Sequence, residues 1–379
     1  MTFNQTLSQI DLAPDMIHLG IGQPSSHLLP LKEMEKAAAH SLSKEDSSFL
    51  AYGEERGNQN FRETLADFLT GQYPNQVDPS QLLITNGNSQ ALDFICTRFT
   101  RPGDTVLVEE PSYFLALKIF ADHKLNLVSI PVDDNGLITD VLKKRLETLT
   151  PAFLYTIPTY HNPASVTLSL QRREELVSIC AQNNLLVVAD EVYHFLNYSD
   201  NPPPPMGTWS DKCPLISLGS FSKILAPGLR LGWMHTSVDL VKKMAGSGLL
   251  VSGGGFNPFT SEIVNSFICL GFLKTHIQRL KTVYRQRIEI FCDQLQIHLP
   301  DQAVFEVPMG GYFIWVKFPE GIDTNAFRKA AQKQNVDFHP GILFSHKKGL
   351  KNYMRLSFAF YDDKILAEGS RRLGKAISG

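Results

Sequence analysis

The sequence is short of cysteine, of net charge and of long apolar runs, and each shortage closes off a class of protein. The five cysteines, Cys96, Cys180, Cys213, Cys269 and Cys292, are scattered, with no C-x-x-C spacing and an odd count. Neither a zinc site nor a disulfide framework follows, so no metal is expected and the thiols are read as buried in a reducing, cytoplasmic setting. Lys and Arg number 36 against 38 Asp and Glu, a net charge of -2, which leaves no basic field for nucleic acid. No apolar stretch is long enough to span a bilayer. The first residues, MTFNQTLSQIDL, have neither the basic start nor the apolar run of a secretory leader. There is no internal repeat and no low-complexity tract.

What is there is a chain of 379 residues, 43% hydrophobic and 20% charged, ordinary for a soluble protein and long enough for two domains. From about residue 80 to 240, strand patterns at 81–86, 104–109, 125–132, 153–157, 185–189, 215–218 and 231–236 alternate with helical ones at 91–99, 141–149 and 171–183. That alternation predicts an α/β domain. The run 185–189, LLVVA, has the apolar character of a parallel strand covered on both faces. One long helix is expected over 262–298. Strands are expected at 305–307, 310–316, 336–340 and 353–358, and an amphipathic helix closes the chain at 362–378.

The most informative stretch is 217–233, SLGSFSKILAPGLRLGW. Gly219 is expected to break the strand before it, and Pro227 with Gly228 bars a regular helix after it. Lys223 then sits on a tight turn at the mouth of the sheet, between the hydroxyls of Ser220 and Ser222 and the arginine Arg230. A neutral amine in that place can condense with an aldehyde such as that of pyridoxal phosphate. The hydroxyls and the forked guanidinium of Arg230 suit the phosphate. A strand, the small-residue turn Gly87-Asn88-Ser89 and a helix start form a second phosphate cradle, because the first helical N–H groups are unpaired. Asp190 ends the buried strand at the edge where α/β sheets bind ligands, and paired with a pyridine nitrogen it would keep that nitrogen protonated. Tyr113 can stack on an aromatic ring. Arg355, among apolar neighbours, needs an anion, and a substrate α-carboxylate fits its fork.

SFSKILAPGLRLGW resembles the cofactor-lysine motif of the class I/II, fold-type I aminotransferases, and the Lys223-to-Arg230 spacing matches the branch with 2-aminoadipate and kynurenine aminotransferases. Six elements fall in family order: Gly87 to Ser89, Tyr113, Asn162, Asp190 with Tyr193, Ser220 to Arg230, and Arg355. The resemblance implies a mostly parallel seven-stranded large-domain sheet between helices and a smaller α+β domain. The corresponding boundaries are an arm and part of the small domain at 1–45, a large cofactor-binding domain at 46–280 and the C-terminal small domain at 281–379. It implies that Asn162 meets the cofactor's 3-hydroxyl oxygen and borders the substrate, and that Tyr193 tunes the same oxygen. It also implies that Gly22 borders the substrate and that Tyr52 reaches the partner's cofactor phosphate across a homodimer. The glycines 253–255 are expected to form a flexible pocket wall near that interface. Related sequences carry Gly-Ser-Gln-Gln where this chain has Gly-Asn-Ser-Gln, which leaves open which side chains touch phosphate. The implied activity moves an amino group from an L-amino acid of 2-aminoadipate, glutamate or aromatic type to a 2-oxo acid such as 2-oxoglutarate, by a ping-pong route. A carbon–sulfur β-lyase on the same fold is the alternative. A pyridoxal-binding regulatory module is a more distant one, since the enzyme-like pattern begins near residue 17 and leaves no room for a winged-helix domain ahead of it.

Overall fold

The computed structural model describes residue 13 and residues 15–44, 46–199 and 201–378; the stretch 1–12 read above for a secretory leader lies outside the described residues. The strands, in chain order, are β1 (Ile17–His18), β2 (Leu82–Thr85), β3 (Thr105–Glu110), β4 (Asn126–Asp133), β5 (Gly136–Leu137), β6 (Phe153–Thr156), β7 (Leu186–Asp190), β8 (Leu215–Ser220), β9 (Gly232–Thr236), β10 (Phe313–Lys317), β11 (Val336–Asp337), β12 (His339–Pro340) and β13 (Tyr353–Ser357). The large sheet runs β2-β9-β8-β7-β6-β3-β4-β5. Its first seven strands are the mostly parallel sheet expected, with β9 antiparallel to both neighbours, and the two-residue β5 hairpins onto the edge.

Alternate residues of the central strands explain why helices cover both faces. Val106, Val108, Phe153, Tyr155, Val188 and Ile216 join one buried cluster, while Leu107, Leu154, Val187, Ala189 and Leu215 join another on the opposite side. Successive side chains of a strand point to opposite faces, so both faces are apolar and each needs its own layer. A third cluster joins the N-terminal segment to the C-terminal elements around Tyr312, Phe313 and Leu356. There β10, β13 and β12 form a three-stranded antiparallel sheet, and β1 pairs in parallel with β11.

Several local expectations are corrected. Gly219 does not end its strand: β8 continues to Ser220, and Lys223 lies on the single helical turn Phe221–Ile224. The glycine is required by packing, since a Cβ there would fall inside the Trp233 indole. The helix after β2 starts at Asn88 rather than residue 91, because Gly87, at φ 78°, is the break. The expected helix over 262–298 is two, Pro258–Cys269 and Phe272–His298, separated at Gly271 with φ 76°. Residues 305–307 form no strand; the only pairing nearby is an isolated bridge between Val304 and Lys317.

Trp233 is only 1% exposed and has no space to retreat into. Gly219→Ala is therefore expected to destabilise the fold by about 1–3 kcal/mol through overpacking, read as a lowered denaturation midpoint; an unchanged midpoint would contradict this packing.

Candidate active site

One cavity lies where the C-terminal ends of β6, β7 and β8 face the small antiparallel sheet. Lys223 reaches it because β8 delivers Ser220 to the cap of the one-turn helix, its Oγ accepting from the Ser222 N–H at 3.1 Å. The Tyr312 hydroxyl donates to the Lys223 carbonyl at 3.0 Å and holds the turn in place. The Lys223 Nζ donates to the Gly22 carbonyl at 2.7 Å. Burial lowers the pKa of this amine from 10.5 to about 8, with the charges of Arg355 and Arg230 acting the same way and Asp190 opposing them. About a tenth of the amine is then neutral, and so nucleophilic, at pH 7.

Asp190, at the end of β7, is 5% exposed. Its Oδ1 accepts from Asn88 Nδ2 at 2.7 Å and its Oδ2 from the Tyr155 hydroxyl at 2.9 Å. Burial raises its pKa, while the hydrogen bonds from Tyr155 and Asn88 and the charge of Lys223 pull it down. Asn88 is the first residue of its helix, whose leading N–H groups have no intrahelical partner and favour an anion. Arg230 stands over this helix start, donating to the carbonyls of Asn86 and Pro227, each at 3.2 Å. A Cβ on Gly87 would come within 3.0 Å of its Nη2, so the glycine serves both the backbone turn and the guanidinium's approach. Ser89, Ser220 and Ser222 line the same cavity. Hydroxyls, free N–H groups and a guanidinium converging there make a site for a phosphate group.

Arg355 occupies the other end. It sits on β13, the middle strand of the small sheet, with Trp315 and His339 as its register partners. It is 3% exposed, with its guanidinium carbon 3.9 Å from the Phe313 ring centroid and 4.9 Å from that of Phe344. It donates to Asn162 Oδ1 and to the Gly20 carbonyl, both at 2.8 Å, and its Nε is buried without a partner. Among the described residues no carboxylate lies within ion-pair distance of it. Five donors with two protein acceptors leave a buried cation open to a carboxylate from outside. Next to Asn162, buried His161 places Nε2 3.1 Å from Glu109 Oε2, and Glu109 accepts from the Thr156 hydroxyl and the Ile157 N–H, each at 2.7 Å.

Twelve of the residues singled out from sequence line this cavity: Gly22, Asn88, Ser89, Tyr113, Asn162, Asp190, Tyr193, Ser220, Ser222, Lys223, Arg230 and Arg355. Gly87 sits behind it as the helix cap. Tyr52 is 89% exposed and outside it. The 253–255 glycines do not line it; Gly254 and Gly255 pack against the backbone of Gly53, Glu54 and Gly57 with no room for a Cβ. Sequence reasoning missed Phe114, Phe313, His339 and Tyr155. Phe114 directly follows Tyr113, and Phe313 lies in the Gly-Gly-x-Phe segment, so both were within reach of the motif. His339 and Tyr155 read as interior strand residues and carry no local signal. His339 is 8% exposed. Burial, then the charge of Arg355, holds its pKa well below 6.5, so it faces the cavity as a neutral imidazole.

The sequence profile of the family "Aminotransferase class I and II" matches residues 14–373. Aromatic-amino-acid aminotransferase 1 of Thermococcus litoralis is 33% identical, covering 96% of this chain and 88% of its own. The 2-aminoadipate transaminase of Thermus thermophilus is 30% identical over 98% of this chain and 93% of its own. The crystal structure of Pyrococcus horikoshii kynurenine aminotransferase, in complex with PMP, superposes with a TM-score of 0.90 at 33% identity, covering 96% of this chain and 91% of that one.

The lowered pKa of Lys223 can be read directly. The rate at which the cofactor-free protein takes up pyridoxal phosphate, fixed with borohydride, is expected to climb with pH to a plateau with a midpoint of about 8. It should vanish in Lys223→Ala; a midpoint near the ordinary lysine value would show the amine to be solvated.

Proposed function

The chain belongs to the class I and II aminotransferases and is a pyridoxal 5'-phosphate-dependent aminotransferase, and from that footing we propose that its amino donor is an L-amino acid with a large, uncharged, aromatic side chain. The observation that carries this is the lining of the cavity. Its cations are Lys223, Arg230 and Arg355, and each has a use that does not involve a substrate side chain. Around Arg355 the walls are Phe114, Tyr113, Phe313, Tyr193 and the neutral His339. Among the described residues no fourth cation lines the cavity to receive the distal carboxylate of 2-aminoadipate or glutamate, and an unpaired buried carboxylate is costly. Aromatic rings gain both area and edge-to-face contacts from such walls.

The residues fit the cofactor. Lys223 supplies the amine for its aldehyde, and the Asn88 helix start, Ser220, Ser222 and Arg230 supply donors for its phosphate. Asp190 is placed for its ring nitrogen, Tyr113 for its ring face, and Asn162 Nδ2 with Tyr193 for its ring oxygen. When bound, the cofactor supplies an electron sink for the substrate α-carbon. The chain's own part is then positional and acid–base. Arg355 fixes the α-carboxylate, and the aromatic wall excludes water. The Lys223 amine would take the α-proton as general base and give it back, two bonds from the α-carbon, as general acid. A 2-oxo acid, 2-oxoglutarate being the first to test, takes the amino group in a second half-reaction on the same groups. The reading includes a homodimer. Leu50, Tyr52, Leu249, Val251 and Phe259 are 65%, 89%, 61%, 62% and 46% exposed. They lie on segments that meet at Gly53, Gly254 and Pro258, and a second copy covering them would bring Tyr52 toward the neighbouring cavity. All five cysteines are unpaired, in keeping with a cytoplasmic enzyme.

Mixed with a single amino acid and no acceptor, the holoenzyme is expected to pass to its pyridoxamine form. Phenylalanine or tyrosine should do so with a kcat/KM about tenfold or more above that of 2-aminoadipate, the scale of one unpaired polar group. Faster conversion by 2-aminoadipate would reverse the assignment of the donor, and release of pyruvate with the aldehyde form retained would mark a β-lyase. Arg355→Ala should cost about a hundredfold or more in kcat/KM for any donor, since a charge-assisted fork is lost.

A further inference from the structure

Among the described residues Asp190 is the only acid that lines the cavity, and none of their cations holds it at contact distance. Its oxygens are held by neutral donors: the amide of Asn88 at 2.7 Å, the phenol of Tyr155 at 2.9 Å and, more weakly, the backbone N–H of Val192. Tyr155 comes from the middle of β6, the strand beside β7, and is fully buried. Asn88 comes from the first turn of the helix that follows β2. The two donors therefore grip the carboxylate from two different elements. The Asn88 Oδ1 is buried without a partner, so the bond from its nitrogen is what orients this amide.

The position is one where this chain departs from the Gly-Ser-Gln-Gln pattern of related sequences. A serine side chain at 88 is one atom shorter, and the Asn88 amide is what spans the gap here. The side chain is thus turned away from the phosphate role considered for it from sequence, which falls to the backbone N–H groups of the same turn.

We propose that Asn88 is a positioning residue for Asp190, holding its carboxylate ionised and aimed at the cofactor's ring nitrogen. This rests on the reading of Asp190 as the partner of that nitrogen. The physical reason is that burial disfavours the anion, and hydrogen bonds to the charged form are what restore it. The bonds from Tyr155 and Asn88 are the two largest of those that hold the carboxylate in its acceptor-only state, and a charge-assisted bond is about twice as strong as a neutral one. Removing one donor raises the pKa of Asp190, so the ionised fraction is lost at a higher pH than in the native enzyme.

The test uses the holoenzyme of Asn88→Ser and of the shape-conserving Asn88→Asp, with Asp190→Asn as reference. In Asn88→Ser the half-reaction rate at saturating donor should fall about tenfold or more, with KM for the donor changed less than about threefold. The acid limb of its pH profile should move to higher pH, and the affinity of the cofactor-free protein for pyridoxal phosphate, measured by fluorescence titration, should fall. Asn88→Asp sets a second carboxylate against the first and should move the acid limb further in the same direction. Native rate, cofactor affinity and acid limb in both variants would overturn the proposal, as would a loss confined to thermal stability. If Asp190→Asn is silent as well, the reading of Asp190 falls too; if Asp190→Asn is crippled while the Asn88 variants are native, this proposal alone fails.

Discussion

Among the described residues three cations, Lys223, Arg230 and Arg355, share one cavity with a single carboxylate, Asp190. That imbalance governs the site. Positive charge held away from water, as at buried Arg355, is costly unless an anion joins it; Arg230, at the other end, is exposed. The Lys223 amine responds by giving up its proton more easily. Arg355 cannot do so at physiological pH, and lies against aromatic faces with the Gly20 carbonyl and the Asn162 side-chain oxygen as its acceptors. On the reading proposed above, a phosphate at the Arg230 end and a substrate carboxylate at the Arg355 end would complete the balance.

The imbalance is sustained by the architecture beneath it. The parallel strands β6, β7 and β8 bring their C-terminal ends to one edge, where backbone N–H groups and strand-end side chains such as Asp190 and Ser220 collect. The small sheet approaches from the other side with Arg355 on its central strand. Neither half has a complete site. Tyr312, on the segment leading into β10, reaches the carbonyl of Lys223, and Asn162, beyond the end of β6, reaches the guanidinium of Arg355. These contacts register one half against the other.

Much of this was legible in the chain because the key residues lie where the backbone must turn. Lys223, Asn162, Asp190 and the 87–89 turn are each flanked by glycine, proline or a strand end, and such punctuation is local. The large sheet was legible for a similar reason, since strands buried on both faces read as unbroken apolar runs. What escaped depends on partners distant in sequence. Tyr155 reads as one more core aromatic until Asp190 is set beside it, and His339 has no signal until β12 pairs with β13. Gly219 was misread because its reason for being glycine, the Trp233 ring on the neighbouring strand, lies 14 positions away in the chain. Asn88 looked like a damaged phosphate motif; its side chain serves the carboxylate instead.

Part of the cavity wall is built from main chain. Lys223 and Arg355 each donate to a carbonyl of the segment just after β1, at Gly22 and Gly20. A carbonyl contact does not depend on the chemistry of the side chain it accompanies. It depends on the path of the backbone, which here is crowded: a Cβ at position 22 would come within 2.9 Å of the Phe313 ring, and one at position 20 within 2.8 Å of His18. Divergence in this segment is therefore filtered by volume rather than by polarity. Its history in descendants of this gene would read as a ban on bulk, with little to betray that two working cations lean on it.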